Sequence, residues 1–143
     1  LLLVGDGELR PVVEKYTVLK GIATNVHFLG IRVDVPSILY AADLFLFPSL
    51  SEGLGIVLIE AQMAGLLCVA SNVIPPEADL KLGLVRFISL QEDKEVWAEE
   101  IIKGLVCSKP DWDTRYRALR AFGYDVREAA RTLERIYCGE ISS

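Results

Sequence analysis

At 143 residues, 52% of them apolar, the chain is long enough to bury the core of one domain. Its formal charge of −5 and its scattered arginines exclude the concentrated positive face that binding a nucleic-acid backbone requires. No uninterrupted apolar run approaches the roughly 20 residues needed to cross a bilayer.

Leu1 to Val4 reads as a short buried strand ending in the turn Gly5-Asp6-Gly7. A helix is predicted from Glu8 to about Lys20, with Pro11 in its first turn and Gly21 at its stop. Asn25 to Leu29 is a second strand, closed by Gly30. Asp34 is a candidate N-cap, with Pro36 in the first turn of a helix through about Ala42. The apolar run Leu44 to Phe47 reads as a buried strand, and an apolar helical pattern follows from Ile56 to Ala64, ended by Gly65. Leu66 to Ala70 is another fully apolar strand, Pro75-Pro76 forces a turn, and Leu84 to Ser89 reads as one more strand.

Strands alternating with helices, most of them apolar on both faces, imply an α/β, Rossmann-like three-layer sandwich: a parallel sheet covered by helices on each side. From Glu92 onward the pattern is helical only. Trp97, Ile101, Ile102 and Leu105 fall on one face, and Trp112, Tyr116 and Leu119 on another. Gly123 breaks the run, Asp125 is a cap, and a last helix carries Ala129, Ala130, Leu133, Ile136 and Tyr137. The expectation is one domain over residues 1–143, with an α/β core to about 90 and a helical C-terminal extension from 91.

On these helical stripes Trp97, Trp112 and Tyr116 read as packing residues before sugar-stacking ones. Arg115, Arg117, Arg120, Arg127, Arg131 and Arg135 mark a solvated face; a membrane-surface role is the alternative, weakened by the acidic residues among them. Cys68, Cys107 and Cys138 are far apart and set in apolar patterns, which predicts buried free thiols in a reducing, cytoplasmic setting. Opening on Leu1 inside an apolar strand, the chain reads as a truncation and not as a signal peptide.

The segment richest in chemistry is Ser51-Glu52-Gly53-Leu54-Gly55-Ile56-Val57-Leu58-Ile59-Glu60. A glycine-containing turn between a buried strand and a helix N-terminus suits an anion such as a diphosphate, because unpaired N–H groups and the helix dipole both favour negative charge. Glu52 before the glycines and Glu60 one helical turn on would repel phosphate. Their natural partners are neutral hydroxyls, from which carboxylates accept. A helix N-terminus for phosphates plus two hydroxyl acceptors is what a nucleotide-sugar site requires.

Here the sequence resembles family 4 of the retaining, GT-B-fold glycosyltransferases. Their donor-binding signature is a glutamate, seven residues and a second glutamate, opening Glu-Gly-(Phe/Leu)-Gly after a Pro-Ser strand end; Pro48-Ser49, Glu52-Gly53-Leu54-Gly55 and Glu60 stand at those positions. Leu3-Val4-Gly5-Asp6-Gly7-Glu8-Leu9-Arg10, Val26-His27-Phe28-Leu29-Gly30 with Arg32 and Asp34, and Ala41-Ala42-Asp43-Leu44-Phe45-Leu46-Phe47 resemble the family's neighbouring segments in consistent order. Gly65 to Ser71 and Leu84 to Leu90 look most like its bacterial exopolysaccharide or capsule enzymes.

The resemblance implies one half of a GT-B fold, the donor-binding half, with the N-terminal acceptor domain absent. Glu60 would bind the ribose hydroxyls, and Glu52 would lie beside the donor sugar and stabilise charge developing at its anomeric carbon. Backbone N–H groups of Gly53, Leu54 and Gly55 would approach sugar and phosphate, and those of Ile56, Val57 and Leu58 the diphosphate. The backbone around Gly30, Ile31 and Arg32 would contact the base, with Gly5 and Gly7 as further donor-side positions. The family needs no bound metal or other cofactor; its partners are a nucleotide-sugar donor and a glycan or lipid-linked acceptor, handled at the inner face of the membrane. The fragment alone would be inactive, since the basic groups that neutralise the diphosphate precede Leu1. Where the family commonly has a glycine pair, this chain has Asn72-Val73-Ile74-Pro75-Pro76-Glu77.

Other readings stay open. Gly5-Asp6-Gly7 serves as a structural turn or a donor contact, Arg10 as a solvated helix residue or a phosphate contact, and His27 as a strand residue before a base. Arg32 and Asp34 shape the loop or touch the ligand. The whole could be a non-catalytic nucleotide-sugar-binding module needing a partner subunit. An NAD-binding or epimerase fold is weakened, because no Gly-x-Gly-x-x-Gly follows a strand.

Overall fold

The computed structural model describes residues 1–106 and 108–140; Cys107 lies outside them. The elements run β1 (Leu2–Val4), α1 (Arg10–Leu19), β2 (His27–Gly30), α2 (Val35–Ala41), β3 (Leu44–Phe47), α3 (Ile56–Met63), β4 (Leu67–Ser71), β5 (Val85–Ile88), α4 (Lys94–Gly104), α5 (Trp112–Ala121) and α6 (Val126–Tyr137). They form an α/β fold of parallel sheets with flanking helices, as expected, but the strands pair in two sets. Two compact units result, Leu1–Ile38 and Leu39–Ser143.

In the first unit β1 and β2 are parallel, with Leu2 opposite His27 and Leu3 opposite Phe28. β1 is not the buried strand its apolar run predicts. It pairs on one side only, with β2, and Leu2 and Val4 stay exposed. Pro11 sits in the first turn of α1, where its missing N–H has no helical partner to lose. Gly21 ends the helix with φ 68°, a left-handed backbone that glycine adopts without a Cβ clash.

In the second unit β4 lies between β3 and β5, all parallel, in register Leu44 with Leu67 and Cys68 with Val85. Every residue of β4 is buried. That is why it reads as an unbroken apolar run: a central parallel strand is covered on both faces. Leu67, Val69 and Ile88 form a core cluster, joined by Leu44 and Leu46 from β3 and by Trp97 and Ile101 from α4. Gly104, at the end of α4, is buried where an added Cβ would collide with Leu67 and Leu44, so glycine permits the close approach. Ile102 and Leu105, expected on the packed face with Trp97, are exposed; they lie on the outer side of the last turn.

The C-terminal helices begin on aspartates. Asp111 caps α5 by accepting from the Thr114 amide at 2.7 Å, and Asp125 caps α6 by accepting from the Arg127 amide at 2.9 Å. Asp125 also accepts from the Tyr116 hydroxyl at 2.7 Å, which holds its carboxyl below the usual range. Tyr116 stacks on Trp112 with centroids 6.1 Å apart, a packing role as expected, although Trp112 is half-exposed. α6 is less covered than its pattern predicts: Val126, Leu133 and Tyr137 are exposed, and so is the Cys138 thiol just beyond, which was expected to be buried. Cys68 is a buried free thiol, and burial pushes its pKa up. Among the described residues no helix is long and apolar enough to cross a membrane.

Candidate functional site

Within the second unit β3 ends at Phe47 and the chain runs irregularly through Pro48 to Leu54 before α3 begins at Ile56. Gly55 makes the entry possible. Its φ of 78° and ψ of 49° are left-handed, and an added Cβ would approach Ile74 Cγ2 to 3.2 Å. An L-residue there would carry both backbone strain and a crowded contact. No side chain caps α3. The Leu58 amide, expected to face the diphosphate, donates to the Gly55 carbonyl at 2.8 Å and so takes part in the first turn. Ile56 and Val57 supply the remaining N–H groups at this end.

Glu52 is half-buried ahead of the turn, and its Oε1 accepts from the Ser49 hydroxyl at 2.8 Å. Gly53 is exposed and Leu54 half-buried. Glu60 stands one turn into α3, exposed and without a hydrogen-bond or ion-pair partner among the described residues. Two cavities of about 470 and about 380 Å³ lie elsewhere, the first lined by β5 and α4 residues, the second by α5 and the start of α6.

Two supports of α3 were not legible in the sequence. Gln62 is fully buried inside the helix: Nε2 donates to the carbonyls of Leu58 at 3.0 Å and Ala78 at 2.7 Å, and Oε1 accepts from the Leu80 amide at 2.9 Å. It fastens α3 to the segment after Pro75-Pro76. Arg115, expected on a solvated face, is half-buried; its guanidinium donates to the Met63 carbonyl and lies 5.6 Å from the Trp112 ring centroid. It closes the C-terminal end of α3, and an added Cβ on Gly65 would come within 3.0 Å of Arg115 Nη1.

The first unit brings Gly5 and Gly30 together: the Gly5 amide donates to the Gly30 carbonyl at 2.8 Å, with φ of 121° and 66°. The Gly7 amide is taken by the Asp6 carboxylate at 2.8 Å. Arg10 is held between Asp6 at 3.1 Å and Glu14 at 2.8 Å, and these carboxylates raise its pKa. Its charge is thus balanced by two carboxylates close in the chain, one before α1 and one within it, which favours the structural reading. Ile31 is exposed. Arg32 grips Asp34 through two bonds of 2.8 and 2.6 Å. Asp34 holds the N-cap position through its carbonyl, which accepts from Ser37 and Ile38, while its carboxylate goes to Arg32 and is held below the usual range.

Residues 1–105 match the family model described as glycosyl transferases group 1. The chain is 36% identical over 137 residues to the putative glycosyltransferase EpsF of Bacillus subtilis, covering 96% of this chain and 36% of that protein. It superposes on the crystal structure of WaaG, a glycosyltransferase involved in lipopolysaccharide biosynthesis, with TM-score 0.65 and 32% identity over 88% of this chain and 34% of that one. Anabaena Alr3699/HepE, solved in complex with UDP-glucose, matches with TM-score 0.64 and 25% identity over 93% of this chain and 40% of that one. The chain thus spans between a third and two fifths of the length of these relatives. With the family model covering most of the chain, this chain belongs to the group 1 glycosyl transferases.

Proposed function

We propose that this chain is the donor-binding half of a retaining glycosyltransferase, which moves a hexosyl group from a nucleotide-diphosphate sugar to a glycan or lipid-linked acceptor in exopolysaccharide or capsule synthesis. The observation that carries the reading is the entry to α3: a helix N-terminus with no side-chain cap, reached through left-handed Gly55 and flanked by Glu52 and Glu60. Two relatives support the chemistry. HepE was solved with UDP-glucose, and WaaG is described as acting in lipopolysaccharide biosynthesis.

The amides of Gly53 to Val57 take the diphosphate, where the helix dipole favours its charge. Glu60, free of protein partners among the described residues, accepts from the ribose hydroxyls. Glu52 lies on the sugar side and stabilises positive charge growing at the anomeric carbon as the diphosphate departs. The proposed chemistry is electrostatic and is drawn without a metal.

Glu60→Ala in the natural full-length protein tests the assignment. Losing charge-assisted hydrogen bonds to the ribose is expected to weaken uridine diphosphate binding about ten- to a hundredfold by calorimetry. Unchanged affinity removes Glu60 from the site.

A further inference from the structure

Ser71 places a hydroxyl where the strand has no other need of one. It ends β4 after Leu67-Cys68-Val69-Ala70 and is fully buried. A buried hydroxyl costs free energy unless it is bonded. Ser71 Oγ donates to the Ser49 carbonyl at 2.6 Å, tying the chain just beyond β3 to the end of β4. Ser49 directs its own hydroxyl at Glu52, with Oγ 2.8 Å from Oε1 and 3.1 Å from the Ser51 carbonyl. One hydroxyl has one proton, and the charged carboxylate is the stronger of the two acceptors.

We propose that Ser49 and Ser71 are positioning residues for Glu52. Ser71 fixes the backbone of Ser49 from inside the sheet, and Ser49 fixes the carboxylate ahead of the glycine turn. Glu52 lies outside any helix or strand, so its side chain has no neighbouring turn to limit its rotamers. A single bond from a pinned hydroxyl removes that freedom. Oε1 is held by Ser49, and Oε2, without a partner among the described residues, is the oxygen presented to the donor sugar. The inference rests on the site reading above, and its test separates the two.

The assay uses the natural full-length protein and whichever of a panel of uridine, guanosine and adenosine diphosphate sugars it turns over. Ser49→Ala is expected to lower kcat about tenfold or more while leaving donor KM within about twofold. Ser49→Thr, which keeps the hydroxyl, is expected to restore most of the rate. In a Glu52→Ala background, Ser49→Ala is expected to cost nothing further. Ser71→Ala, nearly isosteric within the sheet, is expected to lower kcat in the same way and carries the test if Ser49→Ala does not fold. An unchanged kcat in the serine variants, or an equal loss with Glu52 already removed, overturns the positioning role and leaves the site reading standing. If Glu52→Ala itself leaves kcat unchanged, the site reading falls and the positioning role falls with it.

Discussion

Glu52→Gln in the natural full-length protein is expected to reduce the rate of sugar transfer by about 10² to 10³, with donor KM changing far less. Glutamine keeps the length of the side chain and an Oε1 that can still accept from Ser49, so the exchange removes charge and little else. A negative group aimed at a developing positive centre acts mainly in the transition state, and removing such a preorganised group typically costs this much. The same glutamate has a plainer reading as one of the acidic residues common near helix starts, where the dipole favours them. That reading predicts a kcat within about twofold of the parent and a change confined to stability of a few tenths of a kcal/mol, in line with exposed helix-end charges. Steady-state kinetics on the two proteins distinguish these outcomes by two orders of magnitude.

Gln62→Leu is expected to destabilise the fold by about 2 to 5 kcal/mol, although it puts an apolar residue of similar size into a fully buried position. Size is not what Gln62 supplies. Its amide answers the Leu80 N–H and the Ala78 carbonyl, both brought to α3 by the turn through Pro75-Pro76. Leucine leaves this donor and this acceptor without partners inside the protein, and each such loss costs about 1 to 3 kcal/mol. The Leu58 carbonyl is less affected, because the helix ladder also uses it. Urea unfolding of the variant is expected to show a lower midpoint at unchanged slope. A midpoint equal to the parent's would mean that the segment carrying Ala78 and Leu80 is not held through this amide.

The extent to which the sequence foretold these features depended on how local each one is. β3 was read to its residue limits and β4 to within one residue, because a parallel strand packed into a core writes itself as a short unbroken apolar run between turn signals; β4 is buried as that run predicts, whereas β3, paired with β4 alone, is half-buried. The start of α3 and the glycine stops at Gly21, Gly65 and Gly123 were equally local, since a left-handed residue must be nearly always glycine. The family pattern pointed to the Glu52 to Glu60 segment for the same reason. What escaped were contacts between residues far apart in the chain. Ser71 to Ser49 spans 22 residues, Leu80 to Gln62 spans 18, and Arg115 to Met63 spans 52.

Gln62 did carry a signal, as a polar residue within the most apolar helix, and Ser71 another, at the end of an otherwise apolar strand. Neither signal names its partner. Exposure misled in the opposite direction: β1 has the composition of a buried strand but pairs only with β2, and α6 carries an apolar stripe whose Val126, Leu133 and Tyr137 stay exposed. Periodicity reports which residues could be buried together, and it cannot report what covers them. The Leu58 amide is a subtler case. Its bond back to Gly55 follows from how the first helical turn closes, which residue types alone do not show.

Titrating uridine diphosphate into the isotopically labelled protein, while following backbone amide resonances, asks whether the turn from Glu52 into α3 holds a nucleotide diphosphate as proposed. The largest shifts are expected at Gly53, Leu54, Gly55, Ile56 and Val57, with Leu58 moving less because its N–H is already bonded. Saturable shifts that leave these amides in place and gather instead on Arg86, Phe87, Glu92 and Glu100, around the cavity beside β5, would contradict that proposal.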